Sequence, residues 1–153
     1  MQIIIVMCGF PRSGKTTHTK TILNDYVRVS IDDLISMTTG KFNVKFGDFY
    51  GKIEKIMITE LVSKGLNVVI DRTSLTKKSR KRTRNLILHA AKEAKLPKPA
   101  IKLVVIETPI NICVKRNILT EKVPPGIFHK MIKSYEEPGL DEGWDEIIRI
   151  KYT

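Results

Sequence analysis

The chain has 153 residues, a length typical of one ordinary domain, and we expect a single domain over residues 1–153. Its 42% hydrophobic and 28% charged residues are values of globular proteins and exclude a disordered chain. The net charge of +11 favours polyanionic partners, and since no apolar run approaches ~20 residues, we expect no membrane association.

Five segments rich in β-branched residues alternate with segments of helical spacing, which is typical of a parallel sheet covered by helices. Gly65 is placed to end the third helix, and the pair Pro124-Pro125 is placed to begin the last one. The predicted strands are 2–7, 26–30, 66–71, 101–106 and 146–151. The predicted helices are 15–24, 31–37, 49–64, 76–95, 109–119 and 125–136.

A phosphate-binding motif follows the first predicted strand. Residues 9–16, GFPRSGKT, match G-x-x-x-x-G-K-[ST] at every position. Glycines let the backbone turn its N–H groups toward phosphate oxygens, and the start of the next helix adds to the attraction. Lys15 would reach the β- and γ-phosphates and the Thr16 hydroxyl would ligate Mg²⁺, so we expect ATP and Mg²⁺ here. The expected nucleotide contacts are Gly9, Pro11, Arg12, Ser13, Gly14, Lys15, Thr16 and Thr17.

Acidic residues stand at the ends of two other predicted strands. Asp32 follows the second strand, and carboxyl ends of parallel strands lie at the edge that also holds the phosphate loop. Asp32 is placed there to accept a proton from a hydroxyl that attacks the γ-phosphoryl group. The alternative is that Ser30 or Asp32 only caps the following helix. Asp71 closes the third strand, where it could hold Mg²⁺ through water, orient Asp32, contact substrate or serve only the fold.

Positive charge is concentrated between Arg72 and Lys102, where eleven Lys or Arg residues accompany a single acid, Glu93. Residues 77–84, KKSRKRTR, carry six of these charges, whereas the acids gather at 136–146. One ATP does not require so broad a basic segment, whereas a nucleic-acid backbone could use it. The alternative is an ordinary solvated helix. Two cysteines provide no disulfide framework, so we expect a cytoplasmic protein with buried thiols.

Six motifs occur in the order seen in polynucleotide 5′-hydroxyl kinases: GFPRSGKTT, VSIDDL, GLNVVIDRTSL, VKRN, VPPGIFHKMIKSYEEP and DEGWDEIIRI. The chain resembles the kinase domain of this family over nearly its whole length, and no segment matches the phosphatase part of bifunctional relatives. The resemblance implies a three-layer α/β P-loop kinase fold. Its five-stranded, mainly parallel sheet would have the order 2-3-1-4-5, with a short lid at about residues 116–124.

The resemblance also implies roles for individual residues. Asp32 falls on the general base of the family and Lys15 on its phosphate-binding lysine. Arg116, from VKRN, falls at the start of the lid, which supplies arginine to the donor phosphates. The implied activity is transfer of the γ-phosphate of ATP to a nucleic-acid hydroxyl, with the 5′-hydroxyl end of DNA or RNA favoured. The residues expected to face the acceptor are Asp33, Asp71, Arg72 and Thr73.

Two positions depart from the family pattern. Ile35 stands where the phage enzyme has an arginine three residues after its base, and Thr120 stands where lids often have a second arginine. Arg116, alone or with Arg12, would then stabilise the transferred phosphoryl group. These departures keep two alternatives open: a kinase of a small hydroxyl compound such as a nucleoside or sugar, and a non-catalytic, nucleotide-dependent nucleic-acid-binding module.

Overall fold

The structure, a computed structural model, describes residues 1–21, 23–120 and 122–152. The strands are β1 (Ile3–Cys8), β2 (Val27–Ser30), β3 (Val68–Asp71), β4 (Ala100–Ile106) and β5 (Glu146–Ile150). The helices are α1 (Lys15–Thr21), α2 (Ile31–Thr38), α3 (Gly47–Ser63), α4 (Lys77–Glu93), α5 (Ile110–Thr120) and α6 (Pro125–Ser134). Two short 3-10 helices, Val44–Phe46 and Leu140–Glu142, precede α3 and β5.

Each predicted strand and helix is present, and the predicted ends differ from the observed ones by no more than three residues. The predicted first helix, 15–24, included residue 22, which lies outside the described residues. The predicted lid, about 116–124, included residue 121, which also lies outside them. The end of α3 is as predicted, because Gly65 has φ +74° and its N–H donates to the carbonyl of Val62.

The order of the sheet is β2-β3-β1-β4-β5, as predicted, and every strand pairing is parallel. Ser30 of β2 lies opposite Asp71 of β3, so these two strands end side by side. β1 ends at Cys8, directly before the predicted phosphate loop. The loops that follow β1, β2 and β3 therefore meet at one edge of the sheet, the usual place for a ligand in such folds.

Both faces of the sheet are apolar, because side chains alternate between the faces and successive residues of the strands are apolar. Ile4 and Val6 of β1 pack on one face with residues of α3 and α4. Ile5 and Met7 pack on the other face with Ile148 of β5. Cys8 and Cys113 are free and buried, as expected from the sequence.

A smaller apolar cluster supports the phosphate loop from the side of α5 and α6. Phe10 of the loop packs with Leu75, Cys113 and Phe128. The ring centroids of Phe10 and Tyr135 are 5.3 Å apart. The motif around residues 124–138 therefore acts structurally as the support of the loop.

Arg80 corrects the expectation of a continuous exposed basic segment, because its side chain is fully buried. Its guanidinium donates to both carboxylate oxygens of Glu142 and to the carbonyl oxygens of Ser74 and Glu136, over 2.7–3.1 Å. Arg80 thereby joins the loop after β3 to the segment before β5. None of the described helices has the length and apolar character needed to cross a membrane.

Candidate active site

The loop between β1 and α1 has a shape that requires glycine at two positions. A Cβ added to Gly9 would lie 2.8 Å from Ser13 Oγ and 3.1 Å from the carbonyl oxygen of Ile106, so the close backbone approach excludes a side chain. Gly14 has φ +104°, a conformation that strains other residues. Arg12 also has a positive φ, +67°, so the loop stores some strain next to its motif lysine.

Two neighbouring loops hold the phosphate loop in place. The N–H of Gly9 donates to the carbonyl of Thr73 at 2.9 Å. The hydroxyl of Thr108 donates to the carbonyl of Ser13 at 2.6 Å. Thr73, which was predicted to face the acceptor, therefore also has a structural contact through its backbone. Pro11 lies half-buried in the loop and Thr17 is exposed on the first turn of α1.

Lys15 is buried at the base of the loop, and its Nζ donates to the carbonyl of Phe10 at 2.8 Å. Burial lowers the pKa of Lys15 to about 8, and the nearby carboxylates of Asp71 and Asp32 oppose this shift. An ammonium group has three donors, so two remain for an anion besides the one given to Phe10. Lys15 is thus a partly desolvated cation that a polyphosphate would stabilise.

We expect triphosphate binding to take up protons at pH 8.5. In the free protein Lys15 is largely neutral at that pH, because burial lowers its pKa to about 8. A bound polyphosphate favours the ammonium form and raises the pKa, so roughly 0.7 of a proton should be bound with the ligand. Isothermal titration calorimetry in two buffers of different ionisation enthalpy measures this uptake.

The matched control for this uptake is Lys15→Arg, since a guanidinium remains charged at every accessible pH. The variant should lack the additional proton at pH 8.5, and the wild type should lose it as the pH is lowered to about 6.5. An equal uptake in the wild type and in Lys15→Arg would show that the proton binds elsewhere.

Asp71 lies buried beside the phosphate loop, where several groups share its carboxylate. Its Oδ2 accepts from the Thr16 hydroxyl at 3.0 Å and from the Arg28 guanidinium at 2.8 and 3.1 Å. Arg28 also forms an ion pair with Asp33. Sequence analysis did not identify Arg28 as a site residue. A signal was present, because Arg28 is the only charged residue in a short apolar strand and lies two residues before Ser30.

Thr16 and Asp71 offer the hard oxygen ligands that Mg²⁺ prefers. Among the residues that the structure describes, no group of three or more His, Cys, Asp or Glu side chains is placed to hold a metal. Mg²⁺ is usually held by one or two carboxylates together with waters and substrate phosphates rather than by a protein cage. The hydroxyl and the carboxylate therefore fit a magnesium ion that arrives with a triphosphate.

Asp32 lies at the same edge of the sheet and does not cap α2. Ser30 is the cap, because its hydroxyl oxygen accepts from the N–H of Asp33 at 3.2 Å. The side chain of Asp32 is 56% exposed, and its Oδ2 lies 3.3 Å from Lys122 Nζ. Its charge acts on the Lys15 ammonium. The capping alternative for Asp32 is therefore removed, and its carboxylate is available to a ligand.

The end of α5 lies against the phosphate loop. Arg116 donates to the carbonyl of Arg12 at 3.0 Å, and the guanidinium of Arg12 donates to the Thr120 hydroxyl at 2.9 Å. Arg12 thus places its guanidinium next to Thr120, the position at which lids of the resembled family often have a second arginine. Lys122, which the sequence pattern did not single out, adds a further cation next to Asp32.

The cations between residues 72 and 102 do not form one surface. Arg72 pairs with the buried carboxylate of Glu54 at 3.2 Å, and Lys102 pairs with Glu146 at 3.5 Å. Because α4 follows β3, its first half lies near the candidate site and its far end lies about 20 Å away. The exposed cations of the first half are Lys77, Lys78, Lys81 and Arg82. At the far end Lys92 is exposed, as are Lys95 and Lys98, which lie beyond the end of α4.

A protein-family model described as "AAA domain" matches residues 4–138, which is most of the chain. The chain belongs to this AAA-domain family. The AAA-domain chain is 25% identical, over 150 residues, to L-seryl-tRNA(Sec) kinase of Methanococcus maripaludis. The aligned region covers 94% of this chain and 56% of that relative, so the chain spans about half the length of the kinase it matches.

Solved structures share the fold of the AAA-domain chain. One, of the Pnkp1/Rnl/Hen1 RNA repair complex, has a TM-score of 0.69 and 22% identity over 87% of this chain and 43% of that chain. A gluconokinase from Sinorhizobium meliloti 1021 has a TM-score of 0.58 and 16% identity over 96% of this chain and 81% of that chain. At these identities the likeness establishes the fold, that of a P-loop kinase.

Proposed function

We propose that this AAA-domain chain is an ATP-dependent kinase of nucleic acids, with the 5′-hydroxyl end of DNA or RNA as its acceptor. The observation that carries the proposal is the meeting, at one edge of the sheet, of buried Lys15, the Thr16–Asp71 contact and the exposed carboxylate of Asp32. Membership of the AAA-domain family and the likeness to a kinase support phosphoryl transfer as the reaction.

The residues of this edge can divide the chemistry between them. Lys15 and the loop N–H groups would bind the triphosphate. Asp32 would accept the proton of the acceptor hydroxyl while the oxygen of that hydroxyl bonds to the γ-phosphorus. The bond from the γ-phosphorus to the bridging oxygen of ADP breaks in the same step. Mg²⁺, when bound, would neutralise charge on the β- and γ-phosphate oxygens. Arg12 and Arg116 would add positive charge on the outer side of the loop.

A nucleic-acid acceptor is supported by the charge distribution. The exposed cations of the first half of α4 lie on the part of that helix that is nearer to the candidate site. Such a row of cations suits several phosphates of one strand, whereas a sugar or nucleoside would not use it. The relative from Methanococcus maripaludis is named as a kinase of a tRNA-bound seryl group, and the repair-complex structure is one of RNA repair.

Labelled ATP with Mg²⁺, offered in parallel to 5′-hydroxyl DNA, 5′-hydroxyl RNA, nucleosides and sugars, tests the proposal. We expect label at the 5′ ends of the oligonucleotides, with binding that weakens steeply as salt is raised. Label in a nucleoside or sugar only, without that salt dependence, would favour the small-molecule alternative. Oligonucleotide binding without any turnover would favour the non-catalytic module.

Lys122→Ala should lower the rate of transfer about tenfold and leave the nucleotide dissociation constant near the wild-type value. Lys122 Nζ lies 3.3 Å from Asp32 Oδ2, so we infer that it positions the proton-accepting carboxylate. The pair is exposed and contributes under about 1 kcal/mol to folding, so the variant should fold normally. Lys122→Arg should restore most of the rate. Steady-state kinetics and the thermal midpoint check both effects.

The matched control is Lys130→Ala, which removes an exposed lysine from α6. If Lys122→Ala and Lys130→Ala change the rate equally, the loss reflects the overall charge and not the position of the carboxylate.

A further inference from the structure

The segment between α2 and α3 exposes aromatic rings that the apolar core does not use. Phe42, Phe46 and Phe49 keep 64%, 42% and 39% of their surface exposed. The ring centroids of all three nevertheless lie 5.8–6.4 Å from that of Tyr50, which is 1% exposed. One buried ring thus supports three exposed rings, which we call the aromatic platform.

The platform is connected to α2, the helix that carries Asp32 in its first turn. The hydroxyl of Tyr50 is hydrogen-bonded to the hydroxyl of Thr39, which caps the other end of α2. Since an α-helix rises 1.5 Å per residue, Thr39 lies about 10 Å from Asp32 along this helix. The platform is therefore within reach of the next nucleotides of a strand whose terminal hydroxyl lies at Asp32.

Positive charge accompanies the rings. Lys41, Lys45 and Lys52 are exposed, and none of them forms an ion pair with a residue that the structure describes. Asp48 is the single acid between residues 41 and 52. Exposed rings alone would suit an apolar partner, but rings alternating with free ammonium groups suit stacked bases and their phosphates.

We propose that the aromatic platform stacks the bases of single-stranded nucleic acid next to the reacting end, while the flanking lysines pair with its phosphates. The proposal rests on the proposed function, because it describes how the same acceptor is held. Stacking on phenylalanine tolerates any base, so the platform would add affinity without requiring a sequence. It also provides a reason for three large apolar side chains to remain exposed beside the candidate site.

Anisotropy of labelled 5′-hydroxyl strands of about 12 nucleotides, in a DNA and an RNA series, tests the platform. Each strand is compared with one that has abasic sites near its 5′ end, which keeps the phosphates and removes the bases. The wild type should bind the intact strand roughly tenfold more tightly than the abasic strand. Phe42→Ala should bind the intact strand about fivefold less tightly and reduce this ratio by the same factor, since Phe46 and Phe49 remain.

Two further variants separate stacking from charge. Val44→Ala shortens a side chain that is 83% exposed in the same segment and has no ring, and it should behave as the wild type does. Lys45→Ala should weaken both strands equally and reduce the dependence of log affinity on log salt by about 0.7.

The outcomes distinguish the platform from the proposed function. If Phe42→Ala keeps the wild-type ratio of intact to abasic affinity, the proposal that the platform stacks bases is wrong. This holds even if the protein phosphorylates the strands. If the wild type binds neither DNA nor RNA at low salt, the platform and the nucleic-acid acceptor both fail. Transfer of label to a nucleoside or sugar in that case would still show a kinase.

Discussion

Replacing Asp32 with asparagine should lower the rate of phosphoryl transfer by about 10²–10⁴-fold and leave ATP binding nearly unchanged. The amide has almost the same shape as the carboxylate but cannot accept the proton of the acceptor hydroxyl. The fold should tolerate the change, since Ser30 caps α2 and the Asp32 side chain is 56% exposed. Single-turnover transfer from labelled ATP and nucleotide affinity by calorimetry measure the two quantities separately.

Asp33→Asn is the matched comparison, because it makes the same chemical change one residue away in the same turn. Asp33 pairs with Arg28, whereas Asp32 lies beside Lys122. Because Asp33 is expected to face the acceptor, Asp33→Asn should act mainly on the KM of the acceptor, while Asp32→Asn acts on kcat. Equal losses of kcat in the two variants, or transfer by Asp32→Asn at the wild-type rate, would remove Asp32 from the role of general base.

The parts of the site that could be predicted are those in which local order along the chain decides position. A motif of eight residues placed Lys15 and Thr16, and a strand before it with a helix after it determined where the loop lies in the sheet. Asp32 and Asp71 could be assigned to the same edge because Asp71 ends one parallel strand and Asp32 follows the end of its neighbour by two residues. Their actual partners could not be predicted, since Arg28 and Lys122 approach these carboxylates from other segments.

The charge pattern shows a second limit of sequence reasoning. The acids at 136–146 are far from the basic helix in the chain but fold against it. Glu142 pairs with Arg80, and the carboxylate of Glu136 accepts from the N–H of Lys77. Counting charges along the chain therefore overstates the field that a ligand meets. The burial of Arg80 had a signal, because it shares one helical face with Thr83 and with the buried apolar residues of α4.

Because Arg80 is buried and paired, its replacement has the largest effect on stability that we expect. Arg80→Ala should lower the free energy of unfolding by about 3–5 kcal/mol, since it leaves the Glu142 carboxylate without its cation and removes the guanidinium donors of the Ser74 and Glu136 carbonyl groups. Arg149→Ala is the comparison, because Arg149 is also an ion-paired arginine, with the carboxylates of Glu107 and Glu137, but its side chain is 38% exposed. It should cost under about 1 kcal/mol. Urea unfolding followed by circular dichroism measures both.

The dependence on pH separates the loss of the ion pair from a loss of packing. Burial is the largest single influence on the pKa of Glu142 and would raise it, but the hydrogen bonds and charge of Arg80, with the hydrogen bonds from Gly139 and Trp144, together lower this pKa from its usual 4.5. A carboxyl group whose pKa is lowered by folding stabilises the protein above its unfolded pKa and loses this contribution as the pH falls. The difference in stability between the wild type and Arg80→Ala should therefore shrink from pH 7 to pH 3. A difference that stays constant over this range would mean that Arg80 acts through the volume it fills and not through its charge.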